Sequence, residues 1–183
     1  MLPSGLSYSE RMAPINGSAI RAIFKVLSKP GIISFAGGNP SSDALPNEEC
    51  AELAKQALLE DGKNILQYGA TEGYPPFVES LVAYLKASYR FPVENQNVLP
   101  LSGSTQAIDL LLKAFTNPGD VMLVESPTFL GNMQTMNIYQ QTLVPVESDE
   151  NGVLLSSLEN AVKRTHPKML YIIPTFQNPT GRT

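Results

Sequence analysis

NVLPLSGSTQAIDLLLKAFTNPGDVMLVESPTFLGNMQTMNIYQQTLVPV, residues 97–146, alternates short apolar runs with segments whose apolar residues recur three and four apart. The first pattern suits strands buried in a sheet and the second suits amphipathic helices. The spacing predicts a strand over 97–101, a helix over 104–116, a strand over 121–125, a helix over 129–137 and a strand over 141–147. A helix over 156–165 and a strand over 168–173 extend the order to β-α-β-α-β-α-β. Asn117-Pro118-Gly119 and Asn151-Gly152 are turn signals, and Ser156 with Glu159 has the capping-box form ahead of Leu158, Ala161, Val162 and Thr165. Such alternation predicts an α/β fold with a largely parallel sheet, helices on both faces and ligands at the carboxyl ends of the strands.

Upstream, SAIRAIFKVLS at 18–28 sets Ile20, Ile23, Phe24 and Leu27 on one helical stripe, ended by Lys29, Pro30 and Gly31. IISFAGGNPSSDALP at 32–46 reads as a short strand opening into a loop. Helices are predicted from Asn47, as a cap, to about Leu59, with Leu53, Ala54, Ala57 and Leu58 facing one way, and from Pro75 to about Ser88, with Phe77, Leu81, Tyr84 and Leu85 as the stripe. The loop between them presents Tyr68 and Tyr74. The change of rhythm puts a natural division near residue 96.

A chain of 183 residues, 43% hydrophobic and 16% charged, has the composition of a globular protein. Its net charge of -4 offers no basic field for nucleic acid or anionic membrane. No apolar run reaches the roughly 20 residues that span a bilayer, and the first residues lack a secretory signal pattern. Cys50 has no second cysteine to pair with, so the expectation is a packed thiol in a cytoplasmic protein. His166 is the only histidine and is read as a helix end, leaving little for a metal site or a Ser-His-Asp triad.

Three short features carry chemistry. In LSGSTQAID a strand runs straight into a helix, so the unpaired N–H groups there and the Ser104 and Thr105 hydroxyls either cradle a phosphate or merely cap the helix. A nicotinamide-binding unit could use the same turn, with Glu125 as its ribose acid, but Gly103 is the only glycine in it. In ESPTFLG, 125–131, Phe129 stands at a strand end and either stacks on a planar ligand or fills the core. In PTFQNPTG, 174–181, Asn178-Pro179 opens a turn beyond the last strand.

In this order, with FAGGNPSSDALP and LQYGATEGYPPF ahead of them, these features resemble the fold-type I pyridoxal-phosphate aminotransferases, in the branch of the aminoadipate, kynurenine and aromatic enzymes. The resemblance implies transfer of an amino group between an amino acid and a 2-oxo acid, pyridoxal 5'-phosphate as cofactor and a homodimer. Gly103, Ser104 and Thr105 would bind the cofactor phosphate, Phe129, where the family commonly has Tyr, would stack on the ring, and Asn178 would hydrogen-bond its 3'-oxygen. Tyr68 would reach the partner subunit's phosphate, and Gly38 and Arg21 would meet the substrate. Residues 1–46 would form an arm and small-domain segment, and 47–183 an incomplete large cofactor-binding domain.

The resemblance also places the Schiff-base lysine, the acid that pairs with the ring nitrogen and the substrate-clamping arginine beyond the Asn178 turn. The expectation is a chain truncated before that lysine and inactive alone, its eight lysines being solvated charges. The aminotransferase-like sensing domain of a transcription regulator is the alternative, for which no basic winged-helix region precedes residue 1.

Overall fold

The computed structural model describes residues 6–12 and 40–183. The chain divides into two compact units, Met1–Ala22 with Ser102–Thr183, and Ile23–Leu101.

Two helices organise the described part of the second unit. Helix α1, Asn47–Ile65, begins after Pro46, which takes the cap position predicted for Asn47 and whose carbonyl receives the Cys50 N–H at 2.9 Å. It runs past the predicted end at Leu59 because Asp61, although its own backbone leaves helical geometry, accepts the Asn64 side-chain amide at 2.6 Å and the Tyr74 hydroxyl. Leu53 and Leu58 stay exposed, and so does Cys50, contrary to the packed thiol predicted for it. The α1 face that carries them buries no residue. Helix α2, Pro75–Tyr89, buries Val78 and Val82 and leaves Phe77 and Tyr84 exposed, so its covered stripe lies one position round from the predicted one. The strand predicted over 97–101 does not form. Val98–Leu101 joins no ladder among the described residues, and without a partner its backbone N–H and C=O groups have no sheet to enter.

The first unit holds the sheet. Its elements are α3, Ser104–Phe115; β1, Val121–Ser126; α4, Leu130–Ile138; β2, Thr142–Asp149; β3, Gly152–Val153; α5, Leu155–Thr165; and β4, Met169–Tyr171. The strand order is β3-β2-β1-β4. β1 lies parallel to β2, with Val121 opposite Thr142 and Glu125 opposite Val146, and parallel to β4, with Val124 opposite Tyr171. β3 was not predicted. It returns antiparallel on β2 through Glu150 and Asn151, and Gly152 takes the φ of 107° that a side chain would resist.

Alternation along β1 sends side chains to both faces. Met122 and Val124 pack with Leu112 of α3 and Met136 of α4 on one face, while Leu123 packs with Val146 and Ala161 of α5 on the other. Helices therefore cover both faces, as predicted. Within α3 only Leu112 is fully buried, Ile108 is half-buried, and Leu111 and Phe115 of the predicted stripe are exposed. The predicted capping box at Ser156 is absent. The helix starts one residue earlier, its cap position is Leu154, and the Ser157 hydroxyl instead accepts the Glu147 N–H at 3.1 Å. His166 ends α5 in a left-handed conformation and donates its N–H to the Val162 carbonyl, the helix-end place predicted for it.

Candidate functional site

A helix that follows one parallel strand and precedes the next runs back along the sheet, so its N-terminus lies at the level of the strands' carboxyl ends. α3 is such a helix. Gly103 takes its cap position with φ 98° and ψ 169°, a backbone state open to glycine and strained for other residues. Neither Ser104 nor Thr105 caps the helix, because both lie inside its first turn. The first turn's N–H groups have no carbonyl one turn back, so they face outward as donors. The Ser104 hydroxyl makes no hydrogen bond among the described residues, and both side chains are exposed.

β1 ends in Glu125 and Ser126, and Phe129, half-buried, takes the cap position of α4. Its ring lies against Gly131, where an added Cβ would come within 2.5 Å of Cε1 and 2.6 Å of Cζ. Glycine at 131 therefore lets the ring take this place. One residue on, Asn132 is 1% exposed. Its Oδ1 accepts the Thr105 hydroxyl at 3.4 Å, and its Nδ2 donates to the Tyr171 hydroxyl at 2.8 Å. Burial pushes the Tyr171 phenol above the ordinary tyrosine pKa, and the Glu125 carboxylate adds to this, while the hydrogen bond from Asn132 pulls the other way.

The loop after β4 is fastened to the end of β1 by Gln177, which is 8% exposed. Its Nε2 donates to Glu125 Oε1 at 3.1 Å and to the Pro127 carbonyl at 2.8 Å. Its Oε1 accepts the Thr180 N–H at 2.9 Å and the Thr180 hydroxyl at 2.7 Å. Glu125, itself 6% exposed, also accepts the Ile173 N–H at 2.9 Å. This occupation removes Glu125 from the role of a ribose-binding acid. The exposed Asn178 sits inside the turn that Gln177 closes. Beside the clamp, a cavity of about 230 Å³ is lined by Glu125, Pro127, Ser148, Ile173, Gln177 and Thr180, among others.

The structure thus joins three features that are far apart in the chain. Thr105 is tied to the first turn of α4 next to Phe129, and the Asn178 turn is tied to the strand end that leads to Phe129. Tyr68 belongs to the other unit and is fully exposed. Gly38 and Arg21 lie outside the described residues. Asn132, Tyr171 and Gln177 are not found by sequence reasoning, since single polar residues on a helix, a strand and a loop give no local sign that they will be buried together.

Chemically, this end of the sheet offers hydroxyl and backbone donors at a helix N-terminus, the sort of site that holds an anion, with an aromatic edge and a carboxamide nearby. The lysines of this unit are elsewhere. Lys113 and Lys163 stand in the last turns of α3 and α5, and Lys168 precedes β4, which places all three toward the opposite end of the sheet. Among the described residues there is no cluster of potential metal ligands, and no helix is long and apolar enough to cross a membrane.

Residues 30–183 match the family model described as aminotransferase class I and II. The chain is 39% identical over 180 residues to a 2-aminoadipate transaminase of Thermus thermophilus, covering 96% of this chain and 44% of that protein. It is 34% identical to aromatic-amino-acid aminotransferase 1 of Thermococcus litoralis, covering 96% of this chain and 43% of that one. Among solved structures, the Pyrococcus horikoshii kynurenine aminotransferase superposes with a TM-score of 0.86 at 32% identity, over 96% of this chain and 45% of its own. The Thermus thermophilus alpha-aminoadipate aminotransferase complexed with N-(5'-phosphopyridoxyl)-L-leucine superposes with a TM-score of 0.82 at 38% identity, over 96% and 42%. The chain spans less than half the length of the relatives it matches.

Proposed function

The chain belongs to the class I and II aminotransferases, and from that membership we propose that a full-length protein carrying these residues moves an amino group between an amino acid and a 2-oxo acid with pyridoxal 5'-phosphate. Its architecture is that of the fold-type I enzymes. The observation that carries the functional reading is the meeting of the α3 N-terminus, Phe129 and the Asn178 turn at the carboxyl end of the sheet, held by the Thr105–Asn132 and Glu125–Gln177 hydrogen bonds.

The donors present fit the cofactor's phosphate. Gly103 opens the helix without a side chain, the N–H groups of the first turn point outward, and the Ser104 and Thr105 hydroxyls add donors for a dianion. Phe129 would lie against the pyridine ring and keep water from that face, and the Asn178 carboxamide would donate to the 3'-oxygen. When bound, the cofactor supplies an electron-accepting ring next to the substrate's alpha carbon. No lysine of this unit stands at this end of the sheet, so the reading assigns the proton transfer at that carbon to a lysine beyond the Asn178 turn in a full-length protein. Tyr68, fully exposed, would reach the phosphate of a second subunit, making the working form a homodimer. Gly38 and Arg21 would meet the substrate. A cytoplasmic place rests on the lone Cys50, exposed and unpaired.

The test is replacement of Ser104 and Thr105 together by Ala in a full-length protein. Each hydrogen bond to a charged acceptor is worth about 1.5–3 kcal/mol, so cofactor affinity in a fluorescence titration should fall tenfold or more. Unchanged affinity would remove the phosphate from this helix end.

A further inference from the structure

Asn132 is more deeply buried than any other polar side chain among the described residues, and the proposed function uses it only to hold α3 to α4. It fills the space between two hydroxyls, with Thr105 Oγ1 at 3.4 Å and Tyr171 OH at 2.8 Å. A carboxamide's oxygen and nitrogen are close in size, so half a turn about the last side-chain bond exchanges them with no other heavy atom moving. With Oδ1 toward Thr105, the Thr105 proton points inward at Asn132, and the Tyr171 proton has no acceptor among the described residues. With Nδ2 toward Thr105, Tyr171 donates to Oδ1, Nδ2 donates to Thr105 Oγ1, and the Thr105 proton is released toward the open end of α3. An anion at that helix end selects the second arrangement, because only there does the Thr105 hydroxyl meet it with hydrogen rather than a lone pair.

We propose that Asn132 is a positioning residue for the phosphate subsite, using the Tyr171–Asn132–Thr105 chain to aim the Thr105 hydroxyl proton at a phosphate oxygen. This rests on the reading of the α3 N-terminus as that subsite. The recorded hydrogen bonds have the first arrangement, so binding of the anion is coupled to a half-turn of the Asn132 amide and release of the Thr105 proton. Asn132 never touches the anion. Its influence passes through one hydroxyl, and therefore has a signature that a packing role lacks.

The experiment is a mutant cycle in a full-length protein, with pyridoxamine 5'-phosphate and pyridoxamine as reversible probes titrated by fluorescence. Asn132→Leu keeps the side chain's size and removes both hydrogen bonds. It should weaken the phosphorylated probe roughly tenfold and leave pyridoxamine unchanged. Added to Thr105→Ala, it should cause no further loss, because the hydroxyl through which it acts is already gone. Asn132→Asp, which accepts from both hydroxyls and holds the Thr105 proton inward, should weaken the phosphorylated probe more than Thr105→Ala does. Tyr171→Phe removes only one oxygen and serves if the Asn132 variants do not fold; a roughly threefold loss confined to the phosphorylated probe is expected. Equal losses with both probes, or losses that add in the double variant, would overturn the proposal and leave the phosphate reading standing. If Ser104→Ala and Thr105→Ala both leave the phosphorylated probe unaffected, the phosphate reading falls and the proposal with it.

Discussion

Gln177→Leu removes four hydrogen bonds and little volume, so the Asn178 turn should come loose from the sheet while the core stays packed. The bond to the Glu125 carboxylate is charge-assisted, worth about 1.5–3 kcal/mol, and the other three are neutral, about 0.5–1.5 kcal/mol each. A plain sum overstates the loss. Thr180 is exposed and can bond to water instead, and Glu125 keeps the Ile173 N–H, so about 3 kcal/mol is the expected cost. That cost falls on local opening of the loop, which amide hydrogen exchange reads directly. At tenfold per 1.4 kcal/mol, the Thr180 amide should exchange roughly a hundredfold faster in a full-length protein carrying the change. Amides in β1 should be unaffected. Gln177→Glu should be worse at neutral pH, where a second carboxylate about 4 Å from Glu125 costs about 4 kcal/mol at an effective dielectric of 20. A Glu125→Gln change in the same protein should relieve it. Exchange at Thr180 unchanged by Gln177→Leu would show that the loop is held by something other than this clamp.

Gly131→Ala gains about 1 kcal/mol of helix propensity but drives a methyl into the Phe129 ring, an overpacking that costs about 1–3 kcal/mol; urea unfolding should show a net loss, and cofactor affinity should drop as the ring is displaced. A full-length protein should be a dimer by light scattering, and Tyr68→Ala should weaken cofactor binding without changing its fold by circular dichroism; an active monomer at working concentration would remove Tyr68 from the site. The raised pKa of Tyr171 means that folding favours its neutral form, so that contribution is complete below the ordinary value of 10.0 and is lost as the pH climbs above it. Tyr171→Phe should therefore flatten the decline in stability as the pH rises above 10.0, measured by denaturant titration.

What residues 104–171 determine alone is the order of the longer helices and strands and the end of the sheet where a site belongs. Helical spacing, strand alternation and turn residues are local, and α3, β1, α4, β2 and α5 start and stop within two residues of where those signals put them. The Phe129 and Asn178 positions follow from the same logic, because each lies in the loop that leaves a strand, and Ser104 follows from the helix start that Gly103 marks. Burial and pairing are not local. Val98–Leu101 has the composition of a strand but no neighbour among the described residues to complete it, and the covered side of α2 falls on Val78 and Val82 rather than on its aromatic residues. The polar framework depends wholly on tertiary structure. Thr105 meets Asn132 across 27 positions, Asn132 meets Tyr171 across 39, and Gln177 meets Glu125 across 52. No periodicity reaches across such distances; only the stacking of α3 and α4 on β1 and β4, driven by Leu112, Met122, Val124 and Met136, brings these side chains close enough to satisfy one another out of water.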